Sequence, residues 1–120
     1  MTYSEARREI ELLHERVCPA LSEPTRMLIL YALQEKALNV SELTEALQVP
    51  QSTVSRHLAV LRGRHLVHTK RQGNAIYYSL ATSKIIQVLD LMRGILHEQM
   101  QDQSDLAAEI IQNSNQEAKE

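Results

Sequence analysis

From Gln51 to His57 the sequence reads Gln-Ser-Thr-Val-Ser-Arg-His, short polar side chains followed by a guanidinium and an imidazole. Such residues read nucleic acid: Gln pairs bidentately with adenine, Arg with guanine, and hydroxyls reach phosphate or base edges. The stretch lies in a window, residues 46–89, that contains Arg56, Arg62, Arg64, Lys70, Arg71 and Lys84 and no Asp or Glu. This window carries +6, and the rest of the 120-residue chain carries −8, so the net charge of −2 conceals a cationic third on an acidic body. A solvated positive face would look similar. The spread of these cations over a helix and a hairpin, with hydrogen-bonding residues between them, suits a nucleic-acid footprint better.

A second group of residues could bind metal. His14 and Cys18 are spaced i,i+4 on what reads as the first helix, and Asp90 and His97 lie on the last. Imidazole and thiolate are ligands that zinc accepts, and a dimer would supply each twice. The plainer readings are a buried small hydrophobe for Cys18 and a solvated Asp90, Arg93, His97 stripe. Thiol oxidation or haem at Cys18-Pro19 are further options. No clustered nucleophile and base, no Gly-rich phosphate loop and no carboxylate pair can be picked out, so an enzyme is not expected. His65 and His68 flank a strand with no carboxylate near them in sequence.

The elements that position these residues follow from spacing. Ala6, Ile10, Leu13 and Val17 recur at helical intervals over residues 5–17, and Pro19 kinks or ends that helix. Ser22-Glu23-Pro24 starts a second helix with Met27 to Leu33 at its buried centre. Asn39 followed by Glu42 has the spacing of a capping box and opens a short third helix through Leu43, Ala46 and Leu47. Gln48-Val49-Pro50 interrupts it. A fourth helix, about Gln51 to Arg62, buries Val54, Leu58 and Leu61 and is closed by Gly63, which completes a helix-turn-helix.

Leu66 to Arg71 and Ala75 to Leu80 then flank Gln72-Gly73-Asn74, a β-hairpin with a basic, polar tip at Lys70, Arg71 and Asn74. From about Ser83 a long helix carries Ile85, Val88, Leu89, Met92, Ile95, Leu96 and Met100 at three and four spacing. Nothing comparable remains to cover both this seam and Ile10, Leu13 and Val17 of the first helix, so the two faces are expected to meet a second copy. Leu106, Ile110 and Ile111 extend the seam, and residues 112–120 read as a disordered tail after a single domain over 1–111.

Composition agrees. Hydrophobic residues at 43% and charged residues at 23% are ordinary for a globular domain. The longest strictly apolar run, Met27 to Leu33, is 7 residues, far short of a bilayer span. The first ten residues carry charge without an apolar stretch behind them, and one cysteine suits a reducing compartment, so a cytoplasmic protein is expected. With no Trp or Phe, an aliphatic core this small favours oligomerisation.

Helix, helix, helix-turn-helix, hairpin and long helix make a winged helix-turn-helix, mainly α with a small hairpin. Its words, Ala20-Leu21-Ser22-Glu23-Pro24-Thr25-Arg26, Val40-Ser41-Glu42-Leu43 and Gln51-Ser52-Thr53-Val54-Ser55-Arg56-His57-Leu58, resemble the ArsR/SmtB family of bacterial dimeric repressors over roughly residues 6 to 100. The resemblance implies a homodimeric repressor on a pseudo-palindromic operator, released by a metal, a metalloid or an oxidant. The DNA-binding set is then Gln51, Ser52, Thr53, Ser55, Arg56 and His57 on the recognition helix. Arg62 and Arg64 follow on the backbone, and Lys70, Arg71 and Asn74 at the wing; His57 serves either a phosphate or only the helix face.

The resemblance also has gaps. Gln48 and Pro50 stand where family members often have Gly and a Ser cap. The Cys-x-Cys of its thiolate sensors corresponds to Asn39 and Ser41, and its last-helix Asp-x-His, His and Glu ligands to Asp90, Met92, Gln103 and Leu106. Its two-cysteine oxidant sensors find only Cys18. The competing functional class is a winged-helix module that docks a protein through the apolar seam without reading an operator.

Overall fold

The N-terminal helix begins where Thr2 accepts the Glu5 N–H while the Glu5 carboxylate accepts that of Thr2, a reciprocal cap. This helix, α1, is Tyr3–Arg16. The computed structural model describes residues 1–119, with side-chain surroundings given through residue 116. After α1 come a 3₁₀ turn, Cys18–Leu21, then α2, Pro24–Ala32, and a two-residue strand β1, Leu38–Asn39. Helices α3, Val40–Leu47, and α4, Gln51–Gly63, lead into strands β2, Val67–Gln72, and β3, Ala75–Leu80. Helix α5 is Lys84–Lys119.

Two compact units divide the chain, residues 1–86 and the remainder from Gln87, with the division inside α5. In the first unit Ala20, Ile29, Leu30, Leu43, Val54, Leu58 and Leu61 are fully buried, and Leu33, Leu38, Leu66, Val67, Ile85 and Ile86 complete the core. The core is aliphatic, as the composition requires. The sheet has order β1-β3-β2 and is antiparallel throughout, with Val67 opposite Leu80 and Gln72 opposite Ala75. Gly73 takes φ 61° at the first turn position, which a glycine adopts freely and which matches the hairpin twist.

Strand β1 was not expected: Leu38 pairs with Tyr78 and Asn39 with Tyr77, which makes β3 the central strand. The hairpin's clean alternation also gives way, since Ile76 is exposed while Tyr77, Tyr78, Ser79 and Leu80 are all half-buried.

The second unit is a single helical segment. It is helical through residues 112–119, where the sequence suggests a disordered tail; Glu120 lies outside the described residues. Val88, Leu91, Met92, Ile95, Leu96, Met100, Leu106, Ile110 and Ile111 are exposed along it, and Leu89 is buried. On α1, Ile10 and Leu13 are exposed and Val17 is half-buried. No helix among the described residues is long and apolar enough to cross a membrane.

Candidate nucleic-acid interface

The third helix starts as its capping box dictates: Asn39 Oδ1 accepts the Glu42 N–H at 2.8 Å, and Glu42 Oε1 accepts the Asn39 N–H at 3.1 Å. It ends at Gln48, which takes the left-handed conformation, φ 55° and ψ 44°, usually left to glycine. The Gln48 amide compensates by donating to the Glu45 carbonyl at 2.7 Å. The turn therefore keeps its left-handed geometry without the glycine. Pro50, in extended conformation, is the N-cap of α4 and offers no side-chain acceptor; its carbonyl accepts from Thr53 and Val54. The Gln51 and Ser52 N–H groups are thus left at a helix end whose dipole favours an anion.

One face of α4 buries Val54, His57, Leu58 and Leu61. The opposite stripe exposes Gln51, Ser52, Ser55, Arg56, Ala59 and Arg62, with Thr53 half-buried at its flank. Arg56, Arg62 and Lys70 form no hydrogen bond or ion pair among the described residues. Exposed cations without intramolecular partners are available to phosphate, with no existing bond to break. In the wing Lys70 lies opposite Tyr77 and Arg71 opposite Ile76, with Asn74 exposed in the two-residue turn; Arg71 reaches only the Gly73 carbonyl, at 3.4 Å.

Two residues of the expected interface have other employment. His57 is 6% exposed and turns into the protein. Its Nδ1 lies 3.1 Å from the Arg26 Nη1, and its Nε2 lies 3.4 Å from Glu23 Oε2. A polar residue could occupy this buried position because two charged partners satisfy both ring nitrogens. Arg64 is half-buried and donates through Nη1 to the Glu15 carbonyl, where it satisfies the end of α1. Arg26 was missed by sequence reasoning. Its Nε donates to the Ala20 carbonyl and its Nη2 to that of Pro19, both at 2.9 Å, so one guanidinium joins the 3₁₀ turn, α2 and α4.

The end of α4 also differs. Gly63 is its last helical residue, and the left-handed position falls on His65, φ 61°. Leu66 N–H donates to Leu61 and His65 N–H to Arg62, the paired bonds of a Schellman motif.

Among the described residues no group of three or more His, Cys, Asp or Glu could hold a metal ion. Helix α1 ends at Arg16, so Cys18 opens the 3₁₀ turn instead of sharing a helix face with His14, and it is exposed rather than buried. Asp90 lies 3.6 Å from Arg93 in an exposed i,i+3 pair. Asn39, at the place of a family thiolate, has its oxygen committed to the α3 cap, so the donors present do not fit a thiolate metal site.

Helix-turn-helix, wing and uncommitted cations together define a winged helix-turn-helix transcriptional regulator. Residues 23–69 match the model of the bacterial regulatory protein arsR family. The chain is 40% identical over 76 residues to the transcriptional repressor PagR of Bacillus anthracis, covering 62% of this chain and 76% of PagR. It is 33% identical over 76 residues to the transcriptional activator HlyU of Vibrio cholerae, covering 63% of this chain and 70% of HlyU. The crystal structure of Rv0081 from Mycobacterium tuberculosis superposes with a TM-score of 0.69 at 32% identity, over 78% of this chain and 95% of that one. Other curated relatives are spanned over only about half their length. This chain belongs to the arsR family of bacterial regulatory proteins.

Proposed function

We propose that the protein is a homodimeric repressor that occupies a pseudo-palindromic operator in the bacterial cytoplasm. Each α4 enters a major groove about one helical turn from its twin, and each wing lies on the flanking backbone. The observation that carries this reading is the exposed Gln51, Ser52, Ser55, Arg56 stripe at the N-terminal end of α4, with Arg56 unpartnered. Gln51 and Arg56 read base edges, Ser52, Thr53 and Ser55 contact bases or phosphates, and Arg62, Lys70, Arg71 and Asn74 hold the backbone.

The exposed apolar faces support dimerisation. Ile10 and Leu13 on α1, and Val88, Met92, Ile95 and Leu96 on α5, are each between 43% and 61% exposed in the single chain. Occupying the operator represses transcription, in line with the relative named as a repressor, PagR.

Fluorescence anisotropy on the DNA upstream of its own gene tests the whole reading, with sedimentation to count protomers. About six neutralised phosphates give a log–log salt slope of roughly −5. Affinity that ignores salt, or a monomer at concentrations where DNA is bound, would reject it in favour of a protein-docking module.

A further inference from the structure

At the C-terminal end of α4, an open surface pocket of about 250 Å³ is lined by Arg16, Gly63, Arg64 and His65. Two guanidiniums and an imidazole line it, and no carboxylate does. The side chains of Arg16 and His65 form no hydrogen bond or ion pair among the described residues, and Arg64 commits Nη1 to the Glu15 carbonyl while its guanidinium carries further donors.

Helix C-termini usually repel anions, because free carbonyls gather there. Here several are already spent: the Val60, Leu61 and Arg62 oxygens accept from Arg64, Leu66 and His65, and that of Glu15 accepts from Arg64. At Gly63 a side chain would meet nothing within 4 Å, so that wall is open to a ligand. His65 sits in a left-handed conformation where glycine would serve the Schellman bonds equally well, so the retained imidazole is not explained by the turn itself.

We infer that this pocket binds a small oxyanion of the phosphate or carboxylate class, gripped by the Arg16 and Arg64 guanidiniums with His65 as a third donor. Guanidinium forks match the paired oxygens of either group. The site joins the end of α1 to the end of α4, about 18 Å along the helix from Ser52 at 1.5 Å per residue. Arg64 turns toward α1, where it holds the Glu15 carbonyl, and this favours a free anion over a DNA phosphate. A bound anion would fasten α1 to the recognition helix, an input distinct from the thiolate and carboxylate–histidine positions considered above. Binding itself does not depend on the operator reading.

The test titrates inorganic pyrophosphate into the full-length protein, followed by ¹H–¹⁵N NMR, with chloride at matched ionic strength as control. The expected result is saturable shifts centred on Arg16, Gly63, Arg64 and His65, weakened about tenfold by Arg16→Gln and less by Arg16→Lys, the factor for one charge-assisted hydrogen bond. His65→Gln supplies a second variant free of structural partners. Arg64 is avoided because it holds the end of α1. Shifts that follow ionic strength alone, or saturable binding indifferent to Arg16→Gln, overturn the site. A third result also overturns it: no pyrophosphate binding, with a DNA salt slope one unit shallower in Arg16→Gln, would give the arginine to the DNA backbone.

Discussion

The guanidinium of Arg26 donates through Nη1 to His57 Nδ1 at 3.1 Å, which fixes the imidazole tautomer with its hydrogen on Nε2, facing Glu23 Oε2 at 3.4 Å. A guanidinium can only donate, so Nδ1 must accept. Glu23 meanwhile caps α2, accepting from Thr25 and Arg26 N–H at 2.8 and 3.3 Å. The recognition helix is thereby held to the start of α2 by its own buried histidine.

His57→Ala should destabilise the fold by about 1–3 kcal/mol, because a half-buried guanidinium loses its acceptor and the core loses a buried ring. Urea unfolding measures this. At temperatures where the variant is folded, its salt slope on DNA should match the parent; a slope shallower by about 1 would put His57 on a phosphate instead.

Arg56→Ala is expected to do the reverse. The side chain is exposed and unpartnered, so stability should stay within about 0.5 kcal/mol. Operator affinity should fall by about 1–3 kcal/mol in anisotropy titrations. An Arg56→Ala protein with undiminished affinity would move base reading elsewhere.

Lys70→Ala in the wing should weaken binding almost equally on operator and scrambled DNA, and make the salt slope shallower by about 1, since one phosphate would no longer be neutralised. A selective loss on the operator would show instead that the wing reads sequence.

His65→Gly should raise thermal stability, by up to about 1 kcal/mol, since glycine takes the left-handed C′ position without the strain of a side chain. Calorimetry decides it. A loss of stability would mean that the imidazole makes an interaction stronger than the strain.

Much of the architecture could be read from local rules acting alone. The Asn39 and Glu42 capping box, the Gly73 turn and the buried Val54, Leu58 and Leu61 depend on spacing within a few residues. His57 shows where residue type leaves a role open: a histidine after hydroxyls serves either a phosphate or only the helix face, and its position three residues from Val54 and four from Leu61 matches the buried face it takes. Its partners are 31 and 34 positions away in sequence, beyond any local rule. Strand β1, two residues long, has no room for alternation. At the end of α4 composition favoured Gly63, whereas the backbone placed the left-handed residue two positions later. The exposed face of the recognition helix was legible because surface residues there have no tertiary partner to reassign them.

Asn39 belongs to two elements at once: its backbone pairs with Tyr77 in the sheet and its side chain caps α3. The wing is therefore spliced to the first helix of the DNA-reading motif through one residue, not merely appended after the second. A chimaera that imported another regulator's hairpin would have to import a compatible edge for Leu38 and Asn39 as well. Without it, the graft would loosen the start of α3, and the groove-reading helix would lose its bearing even though none of its own residues had changed.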